Sequence, residues 1–364
     1  MENRIFNFGA GPCTLPLPVL QQAQAELLCL PGTGMSVLEI SHRNKKYIEI
    51  YESAIRNLRT LLNIPSNYQV LFLQGGATLQ FTMVAQNFLR GTGKSAGYFN
   101  TGSWGTAAIK EAKKEGPVVT VWNGKESNFN RIPKANEWQM DENFAYLHFT
   151  SNETIGGVEW QTEPSAGDVP LVCDSSSDFM ARPIDVSKYA LIYAGAQKNA
   201  APAGVTIVII RDDMLAKVPE NLPVMLDYKI QADKESAYNT PPVFQIYMFN
   251  LVTQWLLNEI GGLSNMYAIN QQKANLLYSA IDQSGGFYEG HATSDSRSIM
   301  NVTWRMPSEE LQDLFAKEAK ANGMAELKGH RSVGGMRASI YNAMTVAGCQ
   351  TLADFMRDFQ RRHG

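Results

Sequence analysis

The spacing of apolar residues along the chain predicts most of its elements. Between 47 and 62 they recur at Ile48, Tyr51, Ile55, Leu58 and Leu62, three to four apart, as one face of a helix requires. A shorter amphipathic helix is expected over 19–28, and a polar-ended loop and strand over 31–43. An alternation follows, with strands at 70–73, 96–99, 118–122, 145–149 and 171–173 and helices at 78–89 and 106–114. Two continuous apolar runs, 190–194 and 205–210, read as buried strands because they are rich in β-branched residues and bounded by Gly and Pro. Alternating β and α elements imply an α/β fold with a mainly parallel sheet covered on both faces.

Beyond about residue 260 the rhythm changes. Long helices over 263–284 and 308–321 separate strands at 298–305 and 336–341, with Ser308 a candidate N-cap and Gly323 a candidate stop. The expected organisation is a large domain over 16–260 and a smaller α+β domain over 261–364. The Gly- and Pro-rich arm 1–15 completes the second unit.

Composition narrows the function classes. The chain of 364 residues is 44% hydrophobic and 18% charged, the profile of an ordinary soluble globular protein of enzyme size. A net charge of −3 argues against nucleic-acid binding. No apolar run approaches the ~20 residues that span a bilayer, and the amino-terminal residues lack the pattern of a signal peptide, so a cytoplasmic protein with no membrane partner is expected. Cys13, Cys29, Cys173 and Cys349 show no metal-ligand spacing and read as free thiols; no metal is expected. The sequons at Asn152 and Asn301 mean nothing without secretion.

Candidate chemistry centres on the loop between the two apolar runs. It carries one charge, Lys198, among Gly195, Ala196, Ala200, Ala201, Ala203 and Gly204, small residues that let a flat ligand approach the backbone. Desolvation there lowers the pKa of an amine and frees it for attack on a carbonyl, although the stretch alone also fits an ordinary surface loop. Leu-Gln-Gly-Gly-Ala-Thr at 73–78 is a strand, a glycine turn and a helix start, where free amides and the helix dipole suit a phosphate. Gly-Thr-Gly-Lys-Ser at 91–95 resembles the tail of a nucleotide-binding loop, but Phe88 stands where that pattern needs glycine. Asp174 ends an apolar strand, at the face where open α/β sheets bind ligands, and it also fits a capping role. Trp104 sits at a helix start beside small residues, as core or as a platform for a planar ring. Lysine, aspartate, tryptophan and phosphate cradle together are what pyridoxal phosphate requires.

The segments Ala-Gly-Ala-Gln-Lys-Asn (194–199), Ser-His-Arg (41–43), Asn-Glu-Thr (152–154), Tyr-Asn-Thr-Pro-Pro (238–242) and Gly-His-Arg-Ser-Val-Gly-Gly-Met-Arg (329–337) closely resemble the phosphoserine aminotransferase family. The resemblance runs the length of the chain. It implies a fold-type-I pyridoxal-phosphate aminotransferase with a seven-stranded sheet, moving an amino group between glutamate and 3-phosphohydroxypyruvate in serine biosynthesis. Action on 4-phosphohydroxythreonine in vitamin B6 synthesis is also implied. Lys198 would carry the cofactor, Asp174 partner the pyridine nitrogen, and Trp104 stack on the ring. Gly76, Ala77 and Gln197 would hold the phosphate, with Thr154 near the ring hydroxyl. Asn239 and Thr240 would reach the cofactor phosphate of a second subunit, making a homodimer with shared sites. Arg337 would clamp the α-carboxylate, and Arg43, His330 and Arg331 the distal anionic group. Gly9 and Ala10 stand where members often carry a serine. A desulfurase or an alanine-glyoxylate-type transaminase on the same scaffold would not need that distal cationic cluster.

Overall fold

A computed structural model describes residues 4–331 and 333–364. Its centre is a seven-stranded sheet in the order Tyr68–Leu73, Thr206–Arg211, Leu191–Gly195, Leu171–Asp174, Leu147–Thr150, Ala96–Asn100, Val118–Asn123. The last five are parallel to one another, whereas Thr206–Arg211 runs antiparallel to both neighbours. The 196–205 connection explains the reversal, since a parallel return needs a crossover of roughly a dozen residues or more. Side chains alternate across the sheet. Leu191 and Tyr193 join one buried cluster with Phe81 and Ala108, while Ile192 and Ala194 join the opposite one with Leu58 and Phe249.

Two helices cover the second face. Lys45–Leu62 starts at Asn44, whose side chain accepts from the Lys46 N–H, and stops at Asn63 in the left-handed conformation. It buries Ile50, Ala54, Leu58 and Leu61. Of the stripe expected to be its core face, Leu58 and Leu62 are buried, whereas Ile48, Tyr51 and Ile55 line an open cleft together with His42 and Arg43. Its partner, Val243–Asn258, was not anticipated from periodicity, because seven consecutive residues from Ile246 to Val252 are buried and no polar stripe interrupts them. Over 31–43 the expected strand is absent. Thr33 and Ser36 hydroxyls and the left-handed Gly32 and Gly34 fold that segment into turns.

The carboxy-terminal part has its own core. Strands Glu289–Gly290, Asn301–Arg305 and Met336–Ser339 form an antiparallel sheet backed by helices Leu263–Asp282, Glu309–Ala321 and Val346–His363. The strand expected from 298 begins at Asn301, because the Ser298 hydroxyl accepts from the Met300 and Asn301 amides and makes a turn. Trp304, Phe315 and Phe359 pack there with Phe8 of the amino-terminal arm. That arm pairs Phe6–Asn7 in parallel with Met324–Ala325. No helix among the described residues is long and apolar enough to cross a membrane.

Candidate active site

The carboxyl ends of the parallel strands converge on Lys198. Its Nζ donates to the Thr154 hydroxyl at 2.6 Å and lies 4.6 Å from the centroid of the Trp104 ring. Burial lowers its pKa, and the charges of Asp174 and Glu153 oppose that shift. Asp174 closes the strand Leu171–Asp174 and is 3% exposed. Its Oδ1 accepts from the Ser176 amide at 3.0 Å and the Ser176 hydroxyl at 2.6 Å. Burial raises its pKa, while Lys198 and Ser176 pull it back toward the ionised form. The Ser176 oxygen in turn accepts from the Gly195 amide, tying the aspartate to the strand before the lysine loop.

The glycine turn stands opposite. Gly75 (φ +91°) and Gly76 (φ +65°) reverse the chain out of the strand Tyr68–Leu73 and start the helix Gly76–Phe88. A methyl group on Gly195 would lie 2.9 Å from Gln197 Oε1 and 3.5 Å from the Ala77 amide, so the lysine loop and the helix start share one small cradle. No side chain caps that helix, which leaves its first amides directed at the cradle. The Trp104 Nε1 and the Thr101 hydroxyl are buried without protein partners. An anion cradle, a half-buried amine, a carboxylate and a flat indole face are thus gathered in one place, as pyridoxal phosphate requires.

Arg337, on the strand Met336–Ser339, reaches across from the carboxy-terminal part. Its guanidinium donates to the Thr154 carbonyl at 3.4 Å, and its Nε has no partner. It borders a cleft of about 280 Å³ between the two parts, lined also by Thr101, Ser103, Ile155, His291 and Gly335. His330 lies within electrostatic reach of both Arg337 and Arg331; burial first, and then those two cations, lower its pKa. Arg331 is exposed. The largest cavity, about 830 Å³, sits at the amino ends of the strands beside Phe88, Lys94 and Asp168, away from all of these groups.

Three expected site residues stand apart within one chain. Arg43 lies in the open cleft along Ile48 and Tyr51. Asn239 and Thr240 are exposed beside the outer side of the glycine turn, where Gln74 donates to the Thr240 carbonyl. Glu153 was not singled out from sequence, although it is 1% exposed and accepts from the amides of Trp104 and Gly105. Burial pushes it up to about 7 against those two hydrogen bonds. Ala10, where a serine was noted as frequent, uses its carbonyl to accept from the Tyr341 hydroxyl. Next to it, the Cys13 amide donates to the Gln197 carbonyl, so the arm lies against the lysine loop.

The sequence profile of the aminotransferase class-V family matches residues 5–352. Phosphoserine aminotransferase of Rhodopirellula baltica is 52% identical over 361 residues, covering 99% of this chain and 96% of that one. The Geobacillus kaustophilus protein of the same name is 53% identical over 359 residues, with 99% of each covered. The solved structure of phosphoserine aminotransferase from Bacillus circulans subsp. alkalophilus aligns over 100% of both chains at 49% identity with a TM-score of 0.97. A pyridoxal-phosphate-bound phosphoserine aminotransferase from Trichomonas vaginalis aligns with a TM-score of 0.92 at 38% identity, over 97% of this chain and 100% of that one. The chain belongs to the class-V aminotransferases and, among them, to the phosphoserine aminotransferase family.

Proposed function

We propose that this chain moves the amino group of glutamate to 3-phosphohydroxypyruvate, giving phosphoserine, with pyridoxal phosphate held at Lys198. The observation that carries the reading is the Lys198 amine, set between the Thr154 hydroxyl and the Trp104 face above the buried Asp174. The cofactor, when bound, supplies an aldehyde carbon and a ring that accepts the electron pair released at the substrate Cα. Lys198 takes and returns the proton at that carbon, a role suited to an amine that burial biases toward its neutral form. Asp174, ionised with help from Ser176, holds the proton on the pyridine nitrogen. Gly76, Ala77 and Gln197 hold the phosphate, Thr154 orients the ring hydroxyl, and Trp104 stacks on the ring.

Arg337 binds the α-carboxylate common to both substrates, as its free Nε and its place at the cleft mouth suggest. His330 and Arg331 hold the distal phosphate or γ-carboxylate, since a guanidinium fork fits either anion. Arg43, Asn239 and Thr240 serve the site of a second subunit. The cleft beside Arg43, where Ile48, Tyr51 and Ile55 lie among Glu52, Arg56 and Arg59, is the surface such a subunit would cover. The separate cores support a large unit over 16–260 and a smaller one over 261–364 closed by the arm 1–15, with Leu263 and Met266 at the start of the helix Leu263–Asp282 packed into the core of the large unit. The related 4-phosphohydroxythreonine carries the same pair of anionic ends and belongs in the same assay.

Glutamate added to the cofactor-loaded protein should convert its absorbance to that of the aminated cofactor, and 3-phosphohydroxypyruvate should restore it with one equivalent of phosphoserine. If alanine replaced glutamate with no loss, or if pyruvate restored the spectrum as well as the phosphorylated acid did, the substrate assignment would be wrong. Mixing Lys198→Ala subunits with Asn239→Ala/Thr240→Ala subunits tests the shared site. Activity above the sum of the two parents is expected.

A further inference from the structure

We propose that Glu153 is a positioning residue that holds the Trp104 indole over the Lys198 amine, so that the dipeptide Glu153–Thr154 sets the ring and the amine together. The inference rests on the reading of Lys198 and Trp104 as the cofactor's partners. Its own evidence is a built pocket for one carboxylate. Glu153 Oε2 accepts from the Trp104 amide at 3.0 Å and Oε1 from the Gly105 amide at 2.8 Å. These are the second and third residues of the helix Ser103–Ala112, so the acid satisfies two of the free donors at its start. Glycine stands on either side to admit it. A methyl group on Gly102 would come within 2.5 Å of the Glu153 carboxyl carbon, and one on Gly105 would lie 3.4 Å from Oε1 and 3.1 Å from the Phe99 carbonyl.

The next residue completes the link. Thr154 receives the Lys198 amine through its hydroxyl and Arg337 through its carbonyl. Two adjacent residues therefore fix three groups of the site: the ring by the backbone on which it is mounted, the amine, and the carboxylate-binding arginine. The short strand Asn152–Glu153 that presents them pairs with Val158–Glu159. It is anchored where the Asn152 amide donates to Ser177 and to Asn301, which joins the two parts of the molecule. An ordinary helix cap would need no second glycine and no place beside the reacting amine.

Glu153→Gln is the discriminating variant, because it keeps one acceptor oxygen and turns an NH₂ against an N–H. Four cofactor-loaded proteins are compared: wild type, Glu153→Gln, Trp104→Ala and the double variant. The readouts are the visible circular dichroism of the bound cofactor and the rate at which cofactor leaves the holoenzyme. Above pH 7, where the Glu153 carboxyl is ionised, Glu153→Gln should at least halve the dichroism and speed release about tenfold, the effect of one lost charge-assisted hydrogen bond. In the Trp104→Ala background the same change should alter each readout by less than about twofold, since its effect passes through the ring. Equal changes in both backgrounds, or none in either, would overturn the proposal. Gly102→Ala, which displaces a chemically intact Glu153, is tested in the same two backgrounds and decides the matter if the glutamine variant does not fold. A wild-type protein that took up no cofactor would instead overturn the functional reading on which this one stands.

Discussion

Two lysines are withdrawn from solvent in this molecule, one in each part, and their surroundings differ. Lys273, on the helix Leu263–Asp282, is 0% exposed and donates to the carbonyls of Ile340 and Tyr341 at 2.9 and 2.8 Å. Burial lowers its pKa to about 7. Lys198 is half-buried, donates to a single hydroxyl, and faces a ring, two buried carboxyl groups and a cleft. A perturbed pKa by itself would have favoured Lys273 as the chemical group. Acceptors and access decide otherwise. Lys273 spends its hydrogens on two backbone carbonyls, that of Ile340 and that of Tyr341, which also accepts from the Met344 amide, and it is closed off from solvent.

Measurements on both lysines and on their surroundings would break or sharpen that contrast. Lys198→Ala should lower transamination by about a thousandfold or more, in the range expected for a lost acid–base group, and borohydride reduction of the wild type should place the pyridoxyl label on Lys198 alone. A label on Lys273 would dissolve the distinction. Next in size, Arg337→Ala should weaken both half-reactions about a hundredfold. Arg331→Ala should weaken reaction of the phosphorylated substrate roughly tenfold more than that of glutamate, as single-turnover kinetics would report.

Lys273→Met should leave cofactor loading intact and destabilise the fold by about 1–3 kcal/mol in urea titrations, because the buried Ile340 carbonyl loses its donor while that of Tyr341 keeps only the Met344 amide. Its pH dependence has a definite sign. The amine titrates near 7 when folded and near 10.5 when unfolded, so between these values the unfolded chain holds more protons. Wild-type stability should gain from this group as pH rises from 7 toward 10.5, and the methionine variant should lack that gain. Smallest of all, Lys94→Ala and Lys217→Ala, at the rim of the largest cavity, should change neither activity nor stability by more than about twofold or 0.5 kcal/mol. A larger effect would show that cavity size, and not the environment of the amine, marks the site.

The seven strands of the large sheet are legible because each is a short apolar run between turn residues, and the position of Lys198 between two of them follows. The direction of Thr206–Arg211 was not, since five buried residues in a row read the same either way. For Val243–Asn258 the difficulty was burial on all sides, which erases the period that marks a helix. The Tyr47–Leu62 stretch reads as a helix, and its Leu58 and Leu62 do face inward; Ile48, Tyr51 and Ile55 share the same spacing but border an open cleft, a difference that spacing alone does not carry. Lysine, aspartate and tryptophan were readable as chemical types at strand and helix ends. Glu153 was not, because its role depends on two amides 48 and 49 residues away and on the absence of side chains at Gly102 and Gly105. The separation of Arg43 from Arg337 likewise belongs to three dimensions.

The amino-terminal arm carries a consequence for how the molecule is made. Phe6–Asn7 leaves the ribosome long before its strand partner Met324–Ala325, and the hydroxyl that holds Ala10 belongs to Tyr341. The lysine loop that the arm touches is synthesised in between, at Gln197. A nascent chain therefore has to carry Phe8 without its backbone partners until Ala325 and Ser339 have been made. Contacts of such span form late and slowly, and unpaired apolar segments invite association in the meantime. Translation speed and chaperone supply should consequently govern the yield of active protein more than the stability of the finished fold does.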